Sequence, residues 1–196
     1  MIFWETRSII KMNLPNKLTV ARIIAVPVFI ILYMLGQYIP ALVVFVAASL
    51  TDLFDGKIAR KYGLVTNFGK IMDPLADKIL VYAAFCLMVA DGNIAAWMFI
   101  IVLAREFLLA GVRTVAASDG IVIAADMSGK IKTTLQMIAV IMIILVNGLW
   151  SFSAPEDFVR ILDFLAQVVL WASIVMTVWS GASYIIKNKQ VFKEKE

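Results

Sequence analysis

The stretch ILDFLAQVVLWASIVMTVWSGASYII, residues 161–186, carries a single charged side chain, Asp163. At about 1.5 Å rise per residue, a helix of this length exceeds a hydrocarbon core of about 30 Å. It reads as a span that crosses with some tilt. Five more apolar runs lie upstream: residues 20–37, with Pro27 inside; Ile39 to the sequence Ser49-Leu50-Thr51-Asp52; Ile79–Ala90; Ile94–Ala110; and about Thr134–Val146. Several carry charges at their ends, as expected of helices that continue out of the bilayer into a polar site. The whole chain is 62% hydrophobic and only 16% charged, against about 45–50% and about 25% in average globular proteins. With a mean hydropathy of +0.92, a soluble catalytic domain is excluded. The expected fold is an all-α integral membrane domain of six transmembrane helices.

Basic residues set the orientation, because short cytoplasmic loops are enriched in Lys and Arg. With the N-terminus inside, the segments up to Arg22, 55–78, 105–132 and 187–196 share one side and hold 17 of the 18 basic residues. Only Arg160 falls on the other side. The expectation is a multi-pass protein of the plasma membrane with both termini cytoplasmic. The basic tail 188–196 suits the anionic inner leaflet rather than nucleic acid. Residues 1–12 form an extension in which Ile2, Phe3, Trp4, Ile9 and Ile10 surround Glu5, Arg7 and Lys11, either an interfacial turn or an extended start. They lack a signal-peptide pattern, and residues 13–187 form the membrane domain.

The chain has no histidine and one cysteine, Cys86. Histidine-based metal sites, Ser-His-Asp triads and disulfides are thereby excluded. Chemistry must come from carboxylates, Lys, Arg and hydroxyls. Four of the fourteen acids stand close together, in Asp52-Leu53-Phe54-Asp55-Gly56-Lys57-Ile58-Ala59-Arg60 and in Gly69-Lys70-Ile71-Met72-Asp73-Pro74-Leu75-Ala76-Asp77. Spacings of three and four put each pair on one helical face. Unpaired, such carboxylates carry a desolvation cost of several kcal/mol each. Protons, neighbours such as Arg60, Lys70 and Lys78, or metal ions would offset it. Paired spacing beside small Gly56 and Ala59 favours metal, and oxygen ligands select Mg²⁺ or Mn²⁺.

The pattern D-x2-D-G-x2-A-R-x8-G-x3-D-x3-D, met by Asp52, Asp55, Gly56, Ala59, Arg60, Gly69, Asp73 and Asp77, resembles the signature of the CDP-alcohol phosphotransferase family. The resemblance implies a six-helix domain, commonly a homodimer, with a polar active-site cavity at the cytoplasmic side. It also implies transfer of a substituted phosphate from a CDP-linked donor to an alcohol, with release of CMP. On the same basis Asp52, Asp55 and Asp73 are ligands of two metal ions, while Asp77 is the general base and a further ligand. Gly56, Ala59, Arg60, Thr66 and Gly69 would line the CDP-diacylglycerol site. Asn16 and Thr19 are weaker candidates for it, since such residues at a helix start commonly act as caps.

A second polar segment runs from Arg105-Glu106-Phe107-Leu108-Leu109-Ala110-Gly111-Val112-Arg113 to Gly129-Lys130-Ile131-Lys132-Thr133-Thr134-Leu135-Gln136. Arg105 interrupts an apolar run, where a charge is a functional hypothesis by default; pairing with Glu106 or snorkelling to the interface is the alternative. Arg113, Lys130 and Lys132 fall on the same side of the membrane, and together the four suit an anionic acceptor. The segment is similar to family members that use CDP-diacylglycerol as donor and sn-glycerol 3-phosphate as acceptor. Members acting on inositol phosphate remain a competing reading. From another class, a small cation transporter is less compatible, because the acids cluster at one membrane face.

Overall fold

The computed structural model describes the backbone of residues 14–62, 67–121, 123 and 126–192, and their side chains except at 14, 15, 52–62, 67–71, 73, 74, 77 and 192. These residues form six α-helices: α1 (Leu14–Met34), α2 (Tyr38–Tyr62), α3 (Asn67–Ala90), α4 (Ala96–Ser118), α5 (Met127–Ser151) and α6 (Glu156–Lys187). A 3₁₀ turn, Lys189–Phe192, follows. There is no strand among the described residues.

Backbone chemistry explains the helix ends. α1, α3 and α4 are followed by Gly36, Gly92 and Gly120 at φ +70°, +74° and +74°, the left-handed conformation that glycine adopts without steric cost. In each case the residue after the glycine closes the end: Gln37 N–H donates to Leu32 O at 2.9 Å, Asn93 to Met88 at 2.9 Å and Ile121 to Ala116 at 2.8 Å, as in a Schellman motif. Ser153, at φ 52°, does the same for α5 without the advantage of glycine. Asp126 caps the start of α5, accepting from Met127 N–H at 3.0 Å.

The helices start earlier or run further than the apolar runs alone suggest. α1 begins at Leu14, not near residue 20, and continues through Pro27. Asn16 and Thr19 are therefore inside the helix rather than at a cap. Together with Arg22 they recur every three residues and are 1%, 0% and 1% exposed. α2 and α3 extend past their apolar parts, Tyr38–Thr51 and Lys78–Ala90, because their remaining turns carry the aspartate motif. Those apolar parts reach only about 20 Å each at 1.5 Å per residue. Among the described residues, three helices are long and apolar enough to cross a membrane, over Asn16–Met34, Met127–Ser151 and Glu156–Lys187.

α1 packs on α2 and α3, α2 also on α5, and α5 lies along α6, which supports α4. Phe29, Phe45, Leu80, Phe85, Met88, Ile143 and Leu170 fill the centre at 1% exposure or less. Phe29 and Phe45 meet with ring centroids 5.6 Å apart, and Phe85 stacks on Phe99 at 5.9 Å. The outside is also apolar: Ile24, Ile100, Phe107, Phe164, Val175 and Trp179 are all more than half exposed. Helices apolar all round belong in lipid, and the chain is a membrane protein.

A polar seam runs between α5 and α6. Gln136 Nε2 donates to Thr177 Oγ1 at 3.4 Å, while Ser173 and Thr177 hydroxyls donate to the Leu170 and Ser173 carbonyls at 2.7 Å. Small hydroxylated residues let helices approach in lipid and satisfy their own donors. The seam leads towards the charged end of the molecule.

Candidate active site

Glu106 is the centre of the charged end. Its Oε1 accepts from Lys132 Nζ at 2.6 Å and from Arg105 Nη1 at 2.7 Å, and Oε2 lies 3.4 Å from Lys78 Nζ. Three helices thus deliver cations to one carboxylate: α3 through Lys78, α4 through Arg105 and α5 through Lys132. Burial makes the arrangement stringent, since the Lys132 side chain is 3% exposed, Arg105 13% and Glu106 15%. A charge removed from water needs both counter-charge and hydrogen bonds.

Arg105 occupies a sleeve made by two glycines. A Cβ at Gly129 would sit 3.2 Å from Arg105 Nη2, and one at Gly181 would sit 3.2 Å from Arg105 Cγ. A larger side chain at Gly129 would press on the guanidinium and one at Gly181 on the Arg105 stem. Glu106 engages only Nη1, and Arg105 Nε is buried without a hydrogen-bond partner. Nε and Nη2 form the side-on edge of the guanidinium, away from the Glu106 contact at Nη1. A planar fork of this kind matches the oxygens of a phosphate.

A cavity of about 380 Å³ opens beside this group, lined by Arg105, Arg113, Ser128, Lys130, Ser180 and Tyr184 among others. Its volume suits a small ligand. Arg113 Nε–H donates to the Tyr184 hydroxyl at 3.2 Å, and its guanidinium carbon stands 5.6 Å from the centre of that ring. Lys132 lines an adjoining space of about 80 Å³ with Lys78, Tyr82, Glu106 and Gln136. At the rim, Asp126 accepts from the Ser128 hydroxyl at 2.7 Å and from Lys187 at 3.2 Å. The Ser128 hydrogen bond, followed by Lys187, holds its carboxyl below the usual carboxylate range.

All four residues expected to bind an acceptor phosphate are thus gathered at one end: Arg105, Arg113 and Lys130 on the main cavity, Lys132 behind it. Glu106 is the residue the sequence reading underrated, having entered only as a possible partner of Arg105. Its signal was present as a second charge in the same apolar run. Tyr184 had no signal, because an aromatic residue in an apolar span looks like any other lipid-facing or core residue. Lys78, flagged only as a counter-ion for the aspartates, also pairs with Glu106.

The aspartate motif occupies the end of α2 and the start of α3. The side chains of Asp52, Asp55, Gly56, Ala59, Arg60, Gly69, Asp73 and Asp77 lie outside the described residues, as does Thr66 altogether. Among the described residues no three His, Cys, Asp or Glu side chains converge. Asn16 and Thr19 are both buried in α1. A second cavity, of about 440 Å³, is lined by Tyr38, Asp91, Asn93, Asn147, Trp150 and Ser151. It presents a carboxylate and no cation, so its chemistry opposes a phosphate.

The family model for CDP-alcohol phosphatidyltransferase matches residues 12–179. The chain is 41% identical over 196 residues to the CDP-diacylglycerol–glycerol-3-phosphate 3-phosphatidyltransferase of Bacillus subtilis, covering 92% of this chain and 97% of that protein. Proteins of the same name from Rickettsia typhi and Haemophilus influenzae are 38% and 34% identical, covering 92% and 89% of this chain and 99% and 92% of theirs. The match spans the aspartate motif, the Arg105–Glu106 group and most of α6, and the chain is an enzyme of the CDP-alcohol phosphatidyltransferase family.

Proposed function

We propose that this enzyme transfers the phosphatidyl group of CDP-diacylglycerol to sn-glycerol 3-phosphate, giving phosphatidylglycerophosphate and CMP. The names of the relatives supply donor and acceptor. In this chain the supporting observation is the cavity beside Arg105, whose buried Nε has no hydrogen-bond partner while Nη1 is held by Glu106. A phosphomonoester dianion satisfies that edge and offsets the surplus of positive charge from Arg113, Lys130 and Lys132. A neutral acceptor leaves it uncompensated.

In this reading residues 13–187 form a catalytic domain crossing the plasma membrane six times, with both termini, the extension 1–12 and the tail 188–196 in the cytoplasm, and the enzyme acts as a homodimer. The support is the distribution of charge, with 17 of 18 basic residues on one side, and the family. α2 and α3 reach the cytoplasmic face through their motif turns, so the donor's headgroup is met at the end of the bundle while its acyl chains stay beside the apolar helix faces.

Asp52, Asp55, Asp73 and Asp77 would hold two divalent cations, Mg²⁺ or Mn²⁺. The donor set fits: four carboxylates on adjoining helix ends, without sulfur or imidazole, select hard cations. Such ions, when bound, polarise a diphosphate and offset the charge that develops on it. Arg60, with Gly56, Ala59, Thr66, Gly69, Asn16 and Thr19, binds the cytidine diphosphate portion. Arg105, Arg113, Lys130 and Lys132 fix the acceptor phosphate, which leaves its 1-hydroxyl to face the donor. Asp77 accepts the proton of that hydroxyl. The oxygen forms a bond to the β-phosphorus, the bond from that phosphorus to the oxygen bridging to the α-phosphate breaks, and CMP departs with the electron pair. Positioning and electrostatics supply most of the acceleration in such transfers.

The test is CMP release by purified protein from CDP-diacylglycerol. Release that depends on added glycerol 3-phosphate is the expected result. A cation transporter would release none, and release with inositol phosphate alone would move the assignment within the family.

A further inference from the structure

The geometry points to Glu106 as the positioning residue of the acceptor site, one that aims Arg105 rather than neutralising it. The inference rests on the acceptor being a phosphomonoester, as above. A carboxylate that merely neutralised Arg105 would take two of its donors in a bidentate pair, the strong geometry for this partnership. Glu106 takes Nη1 alone, at 2.7 Å, and gives the same oxygen to Lys132 at 2.6 Å. The guanidinium is thereby held by one corner, with Nη2 facing Gly129 and Nε buried without a hydrogen-bond partner.

The shared oxygen also solves an electrostatic problem. Arg105 and Lys132 are both largely buried and bound to one atom, so without the intervening negative charge they would repel each other at close range in a medium of low dielectric. Glu106 keeps two cations near enough to act on one phosphate. Its other oxygen reaches Lys78 at 3.4 Å, and Lys78 directly follows Asp77 in α3. One side chain therefore ties the acceptor-phosphate cations to the helix that carries the proposed base. A misplacement of about 1 Å between such groups is enough to lower turnover strongly.

Two variants separate charge from shape. Glu106→Gln retains the side-chain outline and loses the charge, while Glu106→Asp retains the charge on a shorter arm. The measurements are the KM for each substrate and the rise in melting temperature that inorganic phosphate gives to the purified, Mg²⁺-loaded protein in detergent, a readout independent of turnover. In Glu106→Gln the acceptor KM is expected to rise about tenfold or more, from the loss of charge-assisted bonds, with the donor KM within about twofold and the phosphate-induced shift lost. Glu106→Asp is expected to recover part of both. An unchanged acceptor KM or an unchanged phosphate shift in Glu106→Gln overturns the inference, as does an equal rise of both KM values with a lower melting temperature. If the wild type shows no acceptor-dependent release, the acceptor reading falls, and the phosphate shift still decides the role of Glu106.

Discussion

Arg105→Lys asks whether the site needs a positive charge or a fork. Lysine keeps the charge and can meet one oxygen, but a single ammonium cannot serve Glu106 and also offer a planar pair of donors. In the structure Nη1 is occupied by Glu106 at 2.7 Å and the buried Nε has no hydrogen-bond partner; on the proposed reading the Nε–Nη2 edge meets the incoming phosphate. Losing one charge-assisted hydrogen bond to the acceptor costs about 1.5–3 kcal/mol, which is about 10- to 150-fold in acceptor kcat/KM at 1.36 kcal/mol per factor of ten. Stability should move differently. Arg105 Nε is buried without a hydrogen-bond partner, an arrangement that costs rather than contributes. The substitution removes that donor and is expected to leave the melting temperature unchanged or slightly raised. Steady-state CMP release at saturating CDP-diacylglycerol, with glycerol 3-phosphate varied, gives the first quantity, and thermal unfolding in the same detergent the second. An acceptor kcat/KM within about twofold of wild type, or a parallel loss of activity and melting temperature, would refute the reasoning.

Asp77→Asn should lower kcat by about 10²- to 10⁴-fold, the usual worth of a general base, seen as slow single-turnover CMP release from a folded protein. EDTA should abolish release, with Mg²⁺ or Mn²⁺ restoring it and Ca²⁺ serving as a comparison of ionic size. Gly181→Ala should raise the acceptor KM several-fold, because its Cβ would lie 3.2 Å from Arg105 Cγ, whereas Gly148→Ala, whose Cβ would lie 2.5 Å from Ile39 Cδ1, should cost about 1–3 kcal/mol of stability by overpacking with the acceptor KM unchanged. Asp126 has a lowered carboxyl pKa owing to Ser128 and Lys187, so its contribution to stability is present above the usual carboxylate range and is lost as pH falls through the lowered value; Asp126→Asn should flatten that part of the melting-temperature profile.

Much of the molecule is legible in its sequence because both signals are chemically blunt. A 26-residue apolar run with one charge has few alternatives to a membrane helix, and every fixed position of the aspartate motif is filled. Boundaries were less legible. Hydropathy detects where lipid contact starts, not where the helix starts, so α1 began six residues earlier than its apolar run and Asn16 and Thr19 turned out buried instead of capping. Lys130 and Lys132 looked equivalent, yet residues two apart on a helix point in different directions: Lys130 is exposed and Lys132 is 3% exposed against Glu106. Choosing between them requires the helix's rotation, which depends on its packing against α6 and α2. Glu106 was visible as a charge in an apolar run, but its three partners come from three helices and no local pattern reveals such a convergence.

On the proposed reading Arg105 and its neighbours hold a phosphomonoester as the alcohol-bearing acceptor. The most direct test offers the purified enzyme CDP-diacylglycerol with equal concentrations of glycerol 3-phosphate, inositol phosphate, inositol and serine in competition, and identifies the lipid formed. The account predicts phosphatidylglycerophosphate as the dominant product, with CMP released in equal amount. A lipid product from inositol or serine, neither of which brings a phosphate to the cavity, would contradict it.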